Sequence, residues 1–131
     1  MKYEFFNHLD NNDVDGLFKY LKIHDSNEEM EGQTLLWWSV FYNNLEFVKV
    51  LVNKGADINK KDKLNRTALL LSCYFGFIEI AKFLLVNGAN TDGCLQNAKR
   101  GWDGHCQEEI IELLREEGEK DDESYPEGRR I

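Results

Sequence analysis

Proline is nearly absent from this chain. The one proline, Pro126, stands near the C-terminal end of the 131 residues, so nothing upstream of it interrupts a helix. Cysteine is scarce as well: Cys73, Cys94 and Cys106 are an odd number without paired spacing. That argues against a disulfide framework and suits thiols in a reducing compartment. No stretch approaches the roughly 18 apolar residues of a membrane-spanning helix. The opening Met1-Lys2-Tyr3-Glu4-Phe5-Phe6-Asn7-His8 is too short and too polar for a signal peptide. A soluble, cytoplasmic protein is expected, with no membrane partner. Catalytic signatures are missing too. There is no phosphate-binding glycine loop, no Gly-x-Ser-x-Gly elbow and no His-Glu-x-x-His pair. His8, His24 and His105 are scattered along the chain. The expectation is a protein that is not an enzyme and needs no cofactor.

The net charge is −8 and unevenly placed. Residues 107–123 hold nine acids (Glu108, Glu109, Glu112, Glu116, Glu117, Glu119, Asp121, Asp122, Glu123) against Arg115 and Lys120, a balance of −7. Such an end repels phosphate backbones, which excludes direct nucleic-acid binding, and attracts a basic protein. The plainer reading is a solvated last helix followed by an acidic tail kept for solubility.

What the chain does have is a period of 33 residues. Gly32-Gln33-Thr34-Leu35-Leu36 lines up with Asn65-Arg66-Thr67-Ala68-Leu69, and Leu45-Glu46-Phe47-Val48-Lys49 with Ile78-Glu79-Ile80-Ala81-Lys82. Asn53-Lys54-Gly55-Ala56-Asp57 lines up with Val86-Asn87-Gly88-Ala89-Asn90. A fixed period of this length means stacked supersecondary units that bury their apolar sides only against neighbours. Within one unit, Leu35, Leu36, Val40 and Phe41 have helical spacing, and so do Phe47, Val48, Val50 and Leu51. Thr34 and Thr67 are placed to start the first helices. Asn43-Asn44 and Gly76 break the helix pairs, and Gly55 and Gly88 end the second helices where φ > 0 is favoured. The polar run Lys60-Lys61-Asp62-Lys63 then carries an extended loop to the next unit.

These residues resemble the ankyrin repeat family, whose pattern has a Thr-Pro-Leu-His start, a Gly-His break and a Gly-Ala-Asp-Val-Asn end. Thr34-Leu35-Leu36-Trp37 and Thr67-Ala68-Leu69-Leu70 stand at the start. Gly55-Ala56-Asp57-Ile58-Asn59 and Gly88-Ala89-Asn90 stand at the end. The resemblance is strong over residues 32–90. Both units lack the proline and histidine of the start, and Trp37 and Leu70 fill the histidine's site with apolar bulk. Trp37 is expected in the core, and Trp38 is undecided. Residues 2–27 read as a degenerate first unit, with Phe5, Phe6, Leu9 and then Val14, Leu17, Phe18, Leu21 at helical spacing. Residues 95–118 read as a fourth: Glu109-Ile110-Ile111-Glu112-Leu113-Leu114, ending at Gly118, mirrors Glu79 to Leu84, ending at Gly88, at an offset of 30. The first half of this fourth unit does not follow the pattern.

The resemblance implies an all-α solenoid of about four helix-turn-helix repeats, two central and two degenerate at the ends. The expected repeat domain covers 1–118, with repeats at about 1–30, 31–63, 64–93 and 94–118. An acidic tail without periodicity follows over 119–131 and reads as disordered.

It also implies a concave surface that contacts a protein partner from positions flanking the start motif and the two positions before the break. Carried across, these are Met30, Glu31, Gln33, Phe41 and Tyr42 in the second unit, and Lys63, Leu64, Arg66, Tyr74 and Phe75 in the third. Trp102 and Asp103 are the candidates of the irregular fourth unit, and Asp10 and Asn11 match in the first. The two positions before the break are aromatic in both central units. Exposed, such rings offer roughly 150–250 Å² each to a partner. Turned inward, they fill gaps left by missing consensus residues, and helical phase leaves both arrangements open.

The function expected is a protein-protein interaction module, a monomer when free, that holds one protein partner. Its most concrete form is an inhibitor, a bacterial-type immunity or antitoxin protein neutralising a basic toxin such as a nuclease. The alternative is an adaptor or secreted effector engaging a host protein. An alternative of another class is a metal-dependent enzyme using residues 94–106, where Cys94, His105 and Cys106 lie. Three donors without a fourth, and without a Cys-x-x-Cys pair, make that a weak site.

Overall fold

A computed structural model describes residues 4–117, apart from the side chain of Asp103. The tail expected over 119–131 and the stop expected at Gly118 lie outside the described residues. The chain forms four helix pairs: α1 (Glu4–Asp10) with α2 (Val14–Leu21), α3 (Leu35–Phe41) with α4 (Leu45–Asn53), α5 (Ala68–Phe75) with α6 (Ile78–Val86), and α7 (Cys94–Arg100) with α8 (Glu108–Glu116). The first helices α3, α5 and α7 stack in one layer, and the second helices α2, α4, α6 and α8 in another. The architecture is an all-α solenoid of paired helices.

Local chemistry starts and stops these helices where the period places it. Thr34 Oγ1 accepts from the Trp37 N–H at 3.0 Å, and Thr67 Oγ1 accepts from the Leu70 N–H at 3.2 Å. Each satisfies a first-turn donor that has no partner inside the helix. The break between paired helices is a left-handed residue in three units, Asn12 (φ 50°), Asn43 (φ 55°) and Gly76 (φ 80°). Asn44 then caps α4 by accepting from Phe47 N–H at 3.0 Å, and Asp13 caps α2 by accepting from Gly16 N–H at 2.9 Å.

The core lies between the layers, and its members recur with the repeat. Phe5, Leu36 and Leu69 are buried at one position of the first helices. Tyr20, Leu51, Leu84 and Leu114 are buried at one position of the second. Phe18, grouped with the apolar face of α2 by spacing, is instead 41 % exposed, with Lys54 Nζ 5.6 Å from its ring centroid. Tyr20 takes the inward place, its hydroxyl donating to Glu28 Oε2 at 2.7 Å. Amphipathic residues can turn in this way because only the phenol tip needs a partner.

The loop leading to α3 is a small antiparallel hairpin, β1 (Glu29–Met30) with β2 (Gln33–Thr34). Its tip residues Glu31 (φ 52°) and Gly32 (φ 82°) are both left-handed, as tight two-residue hairpin turns require. The corresponding turn before α5 is closed by the Asp62 carboxylate. Its Oδ1 accepts from Leu64 N–H at 2.9 Å and Arg66 N–H at 2.8 Å, and its Oδ2 accepts from Arg66 Nε at 2.8 Å. Asparagine side chains tie the first unit to the second and the second to the third. Asn27 Oδ1 accepts from Asp57 N–H at 2.6 Å, and Asn59 Oδ1 accepts from Asn90 N–H at 2.7 Å.

The fourth unit departs from the period for a specific reason. It has three residues between Asn90 and α7 where the third unit has eight between Asn59 and α5, so it lacks the projecting turn. The residues regained lie between α7 and α8, as the 3-10 turn Trp102–Gly104 and its flanks. The first-helix offset is therefore 26 while the second-helix offset is 30. Gly101 sits at the bend with φ 67° and ψ 163°, in a region open essentially to glycine alone. A Cβ there would collide with the carbonyl oxygen of His105.

Candidate protein-binding site

Stacking the first helices brings aromatic side chains from all four units into one continuous row. Phe6 of α1 meets Trp38 of α3 edge to face at 5.1 Å, and Trp38 meets Trp37 at 5.0 Å. Trp37 stacks on Phe41 at 5.2 Å, Phe41 meets Phe75 of α5 at 6.0 Å, and Phe75 reaches Trp102 at 6.4 Å. These separations are those of attractive aromatic pairs. Phe41 and Tyr42 are each 45 % exposed, and Trp102 is 54 % exposed. Tyr74 and Phe75 are half-buried.

Between α3 and α5 the row opens into a pocket of about 240 Å³, lined by Trp37, Phe41, Arg66, Leu70, Leu71, Tyr74, Phe75 and Asn97. The Arg66 guanidinium lies 5.5 Å from the Trp37 ring centroid while its Nε bonds Asp62. Burial alone would raise the Asp62 carboxyl, but hydrogen bonds from Arg66 backbone and side chain, the Arg66 charge and the Leu64 N–H together hold it below the usual range. Asp62 is thus a fixed anion that orients Arg66 over the pocket. The two indoles differ. Trp38 Nε1 donates to the Met30 carbonyl at 2.7 Å, whereas Trp37 Nε1 is buried with no partner among the described residues.

Of the residues expected to contact a partner, Phe41, Tyr42, Tyr74 and Phe75 fall on or beside the row. Arg66 lines the pocket, and Lys63 and Leu64 stand exposed at the tip of the neighbouring turn, Leu64 at 70 %. Glu31 is exposed at the hairpin tip. Gln33 is half-buried, 3.4 Å from Asp62 Oδ2 through its Nε2. Met30 requires correction: it is 8 % exposed, because the alternation of the short strand turns it into the core, and its side chain offers a partner no surface.

The fourth-unit register requires a second correction. The offset of 26 puts Arg100 and Gly101, not Trp102 and Asp103, at the positions matching Tyr74 and Phe75. Trp102 belongs to the inserted turn and still reaches the row; the side chain of Asp103 lies outside the described residues. Trp37 and Leu70, expected as core filling, are half-buried and form pocket wall. Asn97 joins them from α7, and no sequence pattern marked it. Asp10 and Asn11 are exposed at the end of α1, where Asn11 Nδ2 donates to the Asn7 carbonyl.

The donors imagined for a metal do not gather. Cys94 is buried, His105 and Cys106 are exposed, and among the described residues no three His, Cys, Asp or Glu side chains could hold an ion together. No described helix is long and apolar enough to cross a membrane.

A fold of stacked helix pairs with projecting turns and an aromatic first-helix face defines a repeat scaffold. The chain belongs to the ankyrin repeat family: the family model for ankyrin repeats (3 copies) matches residues 9–94. It is similar to protein phosphatase 1 regulatory subunit 27 of Homo sapiens, 32 % identical over 91 residues that cover 67 % of this chain and 59 % of that protein. It is also similar to the ankyrin repeat and KH domain-containing protein mask-1 of Caenorhabditis elegans, 42 % identical over 67 residues covering 50 % and 3 %. A third likeness is to the E3 ubiquitin-protein ligase Ufd4 of Drosophila melanogaster, 38 % identical over 96 residues covering 67 % and 3 %. The chain thus spans about three fifths of the length of the phosphatase regulatory subunit and a small part of the other two. The ankyrin fold is a non-catalytic scaffold for protein-protein interaction, and that is the class to which this chain belongs.

Proposed function

We propose that this chain acts by holding one protein partner against its aromatic first-helix face. The observation that carries the reading is the row from Phe6 to Trp102, with Phe41, Tyr42 and Trp102 about half exposed and Phe41 also lining a formed pocket. Large rings with few rotatable bonds give up little entropy on binding, which suits them as interface anchors. Partner-binding residues on this reading are Tyr42, Phe41, Tyr74, Phe75, Trp102 and Arg66, with Lys63 and Leu64 at the rim.

The narrower form is a regulator that blocks or recruits an enzyme. One relative is named as a regulatory subunit of a phosphatase, which supports regulation in general. The immunity or antitoxin form, directed at a basic enzyme, draws its support from charge alone. Glu108, Glu109, Glu112, Glu116 and Glu117 are all exposed on or beside α8.

Affinity capture from native lysate separates these forms, comparing the intact chain with Tyr42→Ser/Trp102→Ser. These rings are preferred to Phe41 and Tyr74, because Phe41 stacks on Trp37 and Tyr74 is half-buried, so their loss would disturb the fold. A protein retained by the wild type and released by the variant supports the aromatic face, and its identity tells inhibitor from adaptor. Equal retention by both moves the interface to the acidic face of α8.

A further inference from the structure

The pocket has apolar walls, yet its charged group and its orphaned polar group are both hydrogen-bond donors. Trp37 Nε1–H is shut off from water with no acceptor among the described residues. Arg66 gives its Nε to Asp62, and its two terminal nitrogens make no hydrogen bond among the described residues. The carboxylate nearest to hand is already committed. Asp62, with its side chain 3 % exposed, accepts from Leu64, Arg66 and Gln33.

The turn that carries Arg66 has the same sign. Lys60, Lys61 and Lys63 are exposed on the turn that carries Arg66, and Lys61 lines an adjoining pocket that shares Leu70 and Asn97 with this one. Glu29 stands beside Lys60 and Lys61, and Asp92 lies on the far wall of the adjoining pocket. Residues 60–66 nonetheless hold four cations against the one buried carboxylate, in a chain whose net charge is −8. Glu31 is exposed at the tip of the neighbouring hairpin, and five further acids are exposed on or beside α8.

At about 240 Å³ the pocket is smaller than the roughly 300–1,000 Å³ of small-molecule sites and suits one bulky side chain. Resting on the reading that the first-helix face is the interface, we infer that its occupant is an acidic segment of a partner protein. A Leu- or Phe-sized side chain enters the pocket, and flanking Asp or Glu carboxylates meet Arg66 and the lysines of its turn. A carboxylate is the acceptor that a guanidinium edge takes in paired, charge-assisted bonds. A basic segment would bring more donors to donors.

The test is a titration of the full chain, ¹⁵N-labelled, watching the indole N–H of Trp37, which is assigned by its loss in Trp37→Phe. One probe is a peptide of Asp and Glu around a single Leu; the other replaces every acid with Lys. The acidic peptide is expected to shift the Trp37 signal. Its affinity should fall with added salt and drop at least about tenfold in Lys60→Gln/Lys61→Gln/Lys63→Gln. Those three side chains are exposed and make no hydrogen bond or ion pair among the described residues, so the fold survives their loss. If the basic peptide shifts Trp37 as tightly, or the triple variant binds the acidic one unchanged, the acidic preference is wrong and the interface reading stands. If neither peptide shifts Trp37, the acidic-segment proposal is wrong, and the interface reading is decided by the affinity capture alone.

Discussion

Adjacent tryptophans on α3 should respond in opposite ways to the same substitution. Trp38→Phe removes an indole that donates to the Met30 carbonyl at 2.7 Å, a bond worth about 1 kcal/mol net. Trp37→Phe removes an indole whose buried N–H has no partner, and a donor left in that state costs the folded protein about 1–3 kcal/mol. The loss of ring volume is the same in both variants, and both residues are half-buried, so the packing terms largely cancel in the comparison. Arg66, over the Trp37 ring at 5.5 Å, keeps an aromatic face beneath it when the ring becomes Phe. Trp38→Phe should therefore be the less stable variant by about 2 kcal/mol. Urea unfolding followed by far-UV circular dichroism measures the gap without relying on the tryptophans as probes. Equal stabilities, or Trp37→Phe as the weaker protein, would mean that Trp37 Nε1 has an acceptor in solution. The pocket's unmet donor would then be removed from the argument.

Three further outcomes follow from particular contacts. Gly101→Ala should lose about 2–4 kcal/mol in the same unfolding assay, because alanine is excluded from that backbone region and its methyl meets His105; a loss under about 1 kcal/mol would show that the turn relaxes freely. Leu84→Ala, at a fully buried position shared by Tyr20, Leu51 and Leu114, should cost about 2–5 kcal/mol, and a smaller loss would contradict the repeat register. Asp62 has a lowered folded-state pKa, so its contribution is present above its unfolded value near about 4 and is lost as pH falls through the folded value. Asp62→Asn should accordingly be less stable than wild type at neutral pH, with the difference shrinking in acid; a difference constant with pH would show that the charge of Asp62 contributes nothing.

Much of the fold was legible because repeat proteins write it in local terms. Thr34 and Thr67 cap the helices they precede, Asn43 and Gly76 take the left-handed break, and Gly55 and Gly88 have positive φ where the second helices stop. Each of these is decided within four or five residues of chain, so the sequence carries it in full. The asparagine ties were also readable. Asp25-x-Asn27 has the same form as Asp57-x-Asn59, though only the second lies within a full end motif. The fourth unit was misread for a definite reason. The offset between second helices is set by α6 and α8, and it does not reveal that residues were removed before α7 and restored after it.

The candidate site was legible as residue types and not as a surface. Helical phase could not say which of the rings at 41, 42, 74 and 75 faces water, since that depends on the neighbouring helix. Stacking leaves Phe41 and Tyr42 half exposed and draws Tyr74 and Phe75 further in, against α7 and the turn at Trp102. Met30 turned inward because two residues of strand pairing fixed its side. Trp37 and Leu70 became pocket wall because the first helices do not close over them.

The sequence by itself determined the number of units, the starts and stops of the helices in the central units and the absence of a catalytic signature. All of these follow from local chemistry and from periodicity. The tertiary structure decided which aromatics form one row, that Arg66 is held over a pocket by a buried carboxylate, and that Lys61 of the same turn lines the adjoining pocket. Contacts between side chains 30 or more residues apart exist only once the units are stacked, and no spacing along the chain encodes their distances.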